Sequence, residues 1–220
     1  SNLTFAYDGS YENIFENVSF QIDTNWKLGF TGRNGRGKTT FLNLLLGKEE
    51  YTGSISTSTV FDYFPYKVED ACLAECAAEL VDRWKSDCEL WRVICELDKL
   101  DTDAEILFRP FGTLSHGERT KVMLAVLFSG DNNFLLIDEP TNHLDLRSVE
   151  WLEGYIKSFK GTVLAISHDR YFLDSVTNRI VEIDKGATYS YQTNYSGFIA
   201  LKAEREEMAL ATCLLYTSPS

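Results

Sequence analysis

The sequence predicts an α/β fold with a mainly parallel central sheet, because strands and helices alternate along its second half. Strands are expected at 134–137, 162–166 and 180–183, and helices at 149–159 and 170–176. The strand segments are largely continuous apolar runs rather than alternating ones, which indicates burial on both faces, as in parallel sheets. A chain of 220 residues is long enough for one substantial core.

The remaining segments predict two smaller subdomains beside the sheet. Short strands between turn residues are expected at 3–5, 18–22, 27–30, 54–56 and 60–63, with a helix at 37–46. Part of this stretch should form a small antiparallel β subdomain. Helical patterns within 73–84, 90–100 and 117–128 predict a helical subdomain at about 68–130, and a last helix should begin near Tyr195.

A glycine-rich loop follows the strand at 27–30 and matches the pattern G-x-x-x-x-G-K-[ST] in full. Between a strand and a helix, this pattern binds phosphate through backbone N–H groups and the helix dipole. Lys38 can reach the β- and γ-phosphates of a nucleotide, and the Thr39 hydroxyl can bind Mg²⁺. The candidate nucleotide-binding residues are Gly32, Asn34, Gly35, Arg36, Gly37, Lys38, Thr39 and Thr40.

Two adjacent carboxylates follow the strand at 134–137. Asp138 lies at the C-terminal end of this strand, where open α/β sheets bind ligands. We expect Asp138 to hold Mg²⁺ together with Thr39, and Glu139 to polarise an attacking water as general base. A strand that ends in Asp-Glu is weak evidence alone. Combined with the phosphate loop, it predicts a site that hydrolyses a nucleotide.

With these motifs, residues 3 to about 208 resemble the nucleotide-binding domains of the ABC ATPases. The run Leu114-Ser115-His116-Gly117-Glu118 resembles their signature loop, and Asn142-His143-Leu144-Asp145 resembles their interface loop. The resemblance implies ATP as the nucleotide and a head-to-tail pair with a second ABC domain, within one longer chain or as a homodimer. It assigns Ser115, Gly117, Glu118 and Asp145 to the ATP of the opposing domain.

The resemblance also implies roles within the domain's own ATP site. Ile166-Ser167-His168 is similar to the family's switch segment, so His168 would contact the γ-phosphate beside the catalytic Glu139. Tyr7, 25 residues ahead of Gly32, matches the aromatic residue that stacks on adenine, although it could instead line a strand face. His116 and His143 are expected to shape their loops.

The sequence departs from the family pattern at two places. Tyr66 stands where the family has a glutamine near Mg²⁺, and the signature loop has His116 for glycine and Glu118 for glutamine. These changes bear on the hydrolysis rate rather than on nucleotide binding. A nucleotide sensor without turnover therefore stays open as an alternative.

The runs at 109–115, 138–145 and 167–174 resemble the ABC-F subfamily in particular. That resemblance implies a soluble protein with two ATPase domains and a helical linker, which acts on the ribosome. Residues 4–7 and 29–46 further resemble the branch that protects bacterial ribosomes from antibiotics. The alternative is the ATPase subunit of a membrane ABC transporter, which shares the phosphate loop, the Asp-Glu pair and the switch histidine.

The ends of the chain complete the expected organisation. We assign residues 1–200 to the ABC domain and 201–210 to the start of a truncated linker helix, so the chain would be the N-terminal half of a longer protein. Residues 211–220 break the charged helical pattern and are expected to be a non-native tail.

Composition excludes some function classes. The net charge is −12, and residues 68–105 carry twelve acidic and four basic residues, a net −8. Such a domain does not bind nucleic acid through its own basic surface. No apolar run approaches the roughly 18–20 residues of a membrane span, so we expect a cytoplasmic protein without membrane insertion. The five cysteines are expected to be buried, reduced thiols.

Overall fold

The computed structural model describes residues 2–6, 14–19, 21–32, 36–56, 59–131, 133–184 and 187–217. These residues form a six-stranded sheet in the order β4-β5-β6-β3-β7-β8, and β1 and β2 form a separate two-stranded sheet. The strands are β1 Leu3–Phe5, β2 Phe15–Val18, β3 Lys27–Gly32, β4 Asp62–Phe64, β5 Phe134–Asp138, β6 Thr162–Ile166, β7 Arg179–Asp184 and β8 Ala187–Tyr191.

The large sheet is parallel except at one edge. Every neighbouring pair from β4 to β7 is parallel, whereas β8 pairs antiparallel with β7, and β1 pairs antiparallel with β2. The helices are α1 Arg36–Leu45, α2 Ala77–Trp84, α3 Leu90–Lys99, α4 His116–Phe128, α5 Leu146–Ser158, α6 Arg170–Val176 and α7 Tyr195–Thr217. The predicted α/β fold, with its mainly parallel sheet and small antiparallel sheet, is confirmed.

Helices cover both faces of the large sheet. Along β5, Leu135 and Ile137 pack into the core formed with α2 to α6, while Leu136 packs on the opposite face with α1. All three side chains are buried. The continuous apolar run therefore reflects burial on both faces, as the sequence indicates.

The helical subdomain consists of α2, α3 and α4 with three short 3₁₀ helices, at Asp70–Ala74, Ala104–Phe108 and Phe111–Thr113. Its centre is α4, in which every residue from Val122 to Phe128 is buried. This helix carries the signature loop at its N-terminus, so its buried C-terminal half fixes the position of that loop.

Several local expectations were wrong. The strand expected at 18–22 ends at Val18, and 54–56 forms no strand; instead, Thr52 makes an isolated bridge with Thr4. Strand β8 was not predicted, because it is an edge strand without a buried apolar run. Among the four cysteines whose side chains are described, all free thiols, only Cys88 is buried and Cys95 is exposed.

The last helix is fastened to the sheet by a buried carboxylate. Glu182 of β7 is 2% exposed, and its carboxylate pairs with Lys202 and Arg205 of α7 and accepts a hydrogen bond from the Tyr191 hydroxyl. Phe198 is buried beside them, edge-on to the Tyr191 ring. A buried charge is tolerated only when it is paired, so this cluster fixes where α7 leaves the domain.

We expect Glu182→Ala to lower the free energy of unfolding by about 2 kcal/mol, because two cations would lose their buried partner. Both cations are partly exposed and can turn to water, which keeps the loss at this size. The measurement is urea unfolding followed by circular dichroism. Glu204→Ala, at an exposed position on α7, is the control and should cost less than about 0.5 kcal/mol. Equal losses for both variants would contradict the anchoring role.

Candidate functional site

The phosphate loop lies where β3 ends and α1 begins. Gly32 is the last residue of β3, and α1 starts at Arg36. A Cβ atom on Gly32 would lie 2.8 Å from the carbonyl oxygen of Ile183, and one on Gly37 would lie 3.3 Å from Cδ1 of the same residue. Because β7 passes this close to the loop, only glycine fits at position 32.

The side chains predicted to bind phosphate and metal lie on the first turns of α1. Lys38 and Thr40 are buried there, and Thr39 is exposed. The free N–H groups and the positive end of the helix dipole also lie at this end of α1. Three of the candidate residues (Tyr7, Asn34, Gly35) lie outside the described residues, as does the side chain of Arg36.

Asp138, at the end of β5, joins this helix to the sheet. Its Oδ2 atom accepts hydrogen bonds from the Thr39 hydroxyl at 3.2 Å and from the Tyr63 hydroxyl at 3.4 Å. Burial raises the pKa of Asp138 above its ordinary value, although these two bonds and the charge of Lys38 act in the opposite direction. Burial, followed by the charge of Asp138, raises the pKa of Tyr63 to about 12, so its hydroxyl remains a donor.

Glu139 and His168 meet directly beyond the ends of β5 and β6. The Glu139 carboxylate accepts the backbone N–H of His168 at 3.1 Å, and the His168 Nε2 atom lies 3.4 Å from Glu139 Oε1. Glu139 has a φ of 50°, and its N–H donates to the carbonyl oxygen of Ile166 at 2.8 Å. A positive φ at a non-glycine residue is a strained conformation of the kind that occurs at functional sites.

The signature loop forms a complete helix cap. The Ser115 side chain accepts the N–H of Glu118, and the Glu118 carboxylate accepts the N–H of Ser115 at 2.7 Å. Arg109 Nη1 donates to the same carboxylate at 3.2 Å. The backbone bond from Ser115, and to a lesser degree Arg109, hold the pKa of Glu118 below its ordinary value. Glu118 therefore completes a reciprocal capping box at the start of α4.

The signature loop packs against the loop that follows Glu139. The rings of His116 and His143 stack with centroids 5.0 Å apart, and a Cβ atom on Gly117 would lie 2.9 Å from the carbonyl oxygen of His143. Lys121 Nζ lies 3.1 Å from Asp145 Oδ2. The backbone N–H of Ser148 at the start of α5, followed by Lys121, lowers the pKa of Asp145 to about 2. The loop-shaping roles expected for the two histidines agree with this stack.

Tyr66, at the place of the family's glutamine, makes its contacts on the side of the helical subdomain. Its hydroxyl donates to Asp62 Oδ1 at 2.9 Å, and its ring stacks on Trp84 with centroids 5.1 Å apart. The sequence reasoning missed the hydroxyl that does reach Asp138, which belongs to Tyr63. The sequence did contain a signal for this residue. Tyr63 lies two residues before Pro65, and side chains along a strand point alternately to its two faces, so Tyr63 faces the opposite way from Asp62 and Phe64.

The ABC transporter family model matches residues 15–142, which is more than half of the chain. The chain belongs to this family. It is an ABC ATPase domain, and nucleotide binding follows from that membership. The matched range includes the phosphate loop, the signature loop and both carboxylates at the end of β5.

Relatives are found in the F branch of the family. The chain is 34% identical to ribosome protection protein VmlR of Bacillus subtilis, over 95% of this chain and 38% of VmlR. It is 33% identical to energy-dependent translational throttle protein EttA of Mycobacterium tuberculosis, over 87% of this chain and 42% of EttA. It is 31% identical to ABC transporter F family member 2 of Arabidopsis thaliana, over 92% of this chain and 30% of that protein.

The relatives confirm the resemblance to the ABC-F subfamily and disfavour the transporter alternative. The chain spans less than half the length of each of them. Within the described ranges, no helix has both the length and the apolarity that a membrane crossing requires.

We expect Glu118→Gln to lower the free energy of unfolding by about 1 kcal/mol at pH 7, because the capping carboxylate loses its charge beside Arg109 and the helix N-terminus. The pKa of Glu118 is lowered in the folded chain, so its stabilisation is complete above the ordinary glutamate value of about 4.3 and is lost as the pH falls through the lowered value. Urea unfolding should show that the difference in free energy of unfolding between wild type and Glu118→Gln is smaller at pH 3.5 than at pH 7. The control is Glu150→Gln, at an exposed position on α5. A difference between wild type and Glu118→Gln that does not change with pH would contradict the prediction.

Proposed function

We propose that the chain binds and hydrolyses Mg²⁺-ATP as one half of a head-to-tail pair of ABC domains, in a longer ABC-F protein that acts on the ribosome. The observation that carries this proposal is the hydrogen bond between Thr39 of α1 and Asp138 of β5. It joins the phosphate-binding end of α1 to the strand whose next residue, Glu139, contacts His168.

The ATP phosphates bind at the N-terminus of α1. Backbone N–H groups of the glycine-rich loop would bind the phosphates, and the buried Lys38 on the first turn of α1 adds a positive charge. Tyr7, which lies outside the described residues, is the residue proposed to stack on the adenine ring. Because Lys38 is buried, its charge attracts a phosphate more strongly than it would in water.

The Thr39 hydroxyl and the Asp138 carboxylate are the residues that would hold Mg²⁺. Both offer hard oxygen atoms, and Mg²⁺ in nucleotide sites takes only one or two such protein ligands beside water and phosphate. Their 3.2 Å contact brings the two oxygens to one place. The ion, when bound, neutralises charge on the phosphates.

Glu139 is the general base of the proposed hydrolysis. Its carboxylate orients a water molecule and accepts one of its protons, while the water oxygen bonds to the γ-phosphorus and the bond to the β–γ bridging oxygen breaks; the products are ADP and phosphate, and the proton then passes from Glu139 to solvent. His168 contacts the γ-phosphate. Its ring is 76% exposed while its backbone N–H is bonded to Glu139, so the imidazole can turn to a phosphate without losing that bond.

Each ATP site of the proposed pair would be completed by residues of the opposing domain. Ser115 and Asp145 are the N-cap residues of α4 and α5, where the positive ends of the helix dipoles favour an anion. With Gly117 and Glu118, they would contact the ATP of the partner domain, which is either in the same longer chain or in a second copy. Leu146 and Tyr171 lie close in sequence to Asp145 and His168 and are 74% and 89% exposed, which supports a protein partner on this surface.

The ribosome is the proposed target of the longer protein, since VmlR and EttA are named for ribosome protection and for translation. The proposed role in antibiotic resistance rests on the resemblance of residues 4–7 and 29–46 to the ribosome-protecting branch, while VmlR is named for ribosome protection. Ribosome binding implies a cytoplasmic location. The net charge of −12 argues that the RNA contact is made outside this domain, and the linker that continues α7 is the proposed contact element.

A second candidate function is a nucleotide sensor that binds ATP without turnover. Tyr66 favours it, because it replaces the glutamine that the family has near Mg²⁺ and its own hydroxyl is bonded to Asp62 instead of Asp138. Phosphate release measured on the longer protein, with and without ribosomes, separates the two functions.

We expect Glu139→Gln to retain ATP binding, to lose most of the slow ATP turnover and to accumulate a closed dimer with ATP. The amide keeps the contacts of the site but cannot act as a base. Lys38→Ala is the contrasting variant and should weaken ATP binding tenfold or more, about 1.4 kcal/mol. Calorimetry, phosphate release and size-exclusion chromatography are the measurements. Brisk turnover by the monomeric chain at low concentration would contradict the paired site.

We expect the longer protein carrying Glu139→Gln to pellet with ribosomes in the presence of ATP, and residues 1–210 alone not to pellet. The acidic surface of the domain repels the phosphate backbone of RNA, whereas the linker that would contact the ribosome is present only in the longer protein. Co-sedimentation at two salt concentrations is the measurement. Tight, salt-sensitive pelleting of residues 1–210 contradicts this division, and failure of the longer protein to pellet contradicts the ribosome role.

A further inference from the structure

Strand β4 presents alternate side chains to the two faces of the sheet. Asp62 and Phe64 face the helical subdomain, where Asp62 pairs with Lys85 and Phe64 is buried in the core formed with α2 to α6. Tyr63 faces the opposite way and packs with the apolar cluster around α1. This alternation follows from the pleat, and it places one tyrosine hydroxyl on the side of the phosphate loop.

Two donors from different elements converge on one oxygen of Asp138. The Thr39 hydroxyl donates from α1, and the Tyr63 hydroxyl donates from β4. With a single donor, the carboxyl group can still rotate about its Cβ–Cγ bond. The second donor, on a strand that is itself in register with β5, restricts that rotation.

Contacts of its backbone and of its ring restrain Tyr63. Its strand pairs Tyr63 with Leu136 of β5, two residues before Asp138. Lys48 Nζ lies over the ring, 5.0 Å from its centroid. The hydroxyl is therefore presented by a fixed ring rather than by a freely rotating side chain.

We propose that Tyr63 is a positioning residue for Mg²⁺: its hydroxyl holds the Asp138 carboxylate in the orientation in which it takes the ion of Mg²⁺-ATP. The inference rests on the proposed function. Residues that orient a metal ligand from behind contribute to metal affinity although they do not touch the metal. Tyr63 therefore affects the Mg²⁺ requirement of the site and leaves the contacts between the phosphate loop and the nucleotide unchanged.

The chain provides a matched control in Tyr66. It follows Tyr63 by three residues and also donates its hydroxyl to an aspartate, but that aspartate is Asp62 on the other face of the sheet. Tyr63→Phe and Tyr66→Phe each delete one hydroxyl hydrogen bond to a carboxylate. Only the first deletion touches a proposed Mg²⁺ ligand.

The experiment measures binding of a fluorescent ATP analogue to the 220-residue chain while the Mg²⁺ concentration is varied. For Tyr63→Phe, we expect the Mg²⁺ concentration at half-maximal binding to rise about threefold to tenfold, the range for one lost orienting hydrogen bond. Its nucleotide affinity in EDTA should stay within about twofold of wild type. Tyr66→Phe should match wild type in both measurements, and thermal unfolding verifies that both variants are folded.

Three outcomes overturn the inference. The first is an unchanged Mg²⁺ requirement in Tyr63→Phe, and the second is an equal loss of affinity with and without Mg²⁺, which would indicate a packing defect. The third is an equal rise in the Mg²⁺ requirement of Tyr66→Phe. If the wild-type chain binds the analogue with no dependence on Mg²⁺, the proposed function fails too; if only the variant result fails, the proposed function stands.

Discussion

The parallel ladder between β5 and β6 is the interaction on which the site depends. Its last registered pair joins Asp138 to Ile166, and the Glu139 N–H then donates to the carbonyl oxygen of Ile166. That bond carries the chain out of the sheet with Glu139 at a φ of 50°, which costs a non-glycine residue about 1 kcal/mol or more. The ladder thus holds both carboxylates and, two residues beyond Ile166, the histidine that contacts Glu139.

Strand β7 connects the phosphate loop to the last helix. Ile183 packs against the two loop glycines on the α1 face, while its neighbour Glu182 pairs with Lys202 and Arg205 of α7. Two carboxylates of this sheet, the buried Glu182 and the half-buried Asp138, differ in their partners. Glu182 has two cations beside it, whereas Asp138 is hydrogen-bonded by neutral hydroxyls, and burial raises its pKa. Only Asp138 would gain from an added cation, which agrees with the metal role proposed for it.

The parts that sequence could predict are those whose cause is local. The phosphate loop and the run before Asp138 carry their chemistry and their burial within a few neighbouring residues. Strand β8 could not be predicted, because an exposed edge strand lacks a continuous apolar run. Glu182 appeared as part of an apolar strand, and its partners lie 20 and 23 residues away on α7. Tyr63 was missed because its role depends on which face of β4 meets α1, which is set by the sheet order.

The loop from Glu139 to Asp145 is joined to the signature loop by several contacts. Within the first loop, the N–H of Asn142 donates to Glu139 and that of Leu144 donates to Thr141. His143 then stacks on His116, and Lys121 of α4 pairs with Asp145. The N-terminus of α4 is therefore joined to Glu139 by stacked rings, an ion pair and short backbone hydrogen bonds. If a partner domain's ATP binds at Ser115, these contacts would connect its site to the proposed base of this domain's own site, which is the physical route that coupling between the two sites requires.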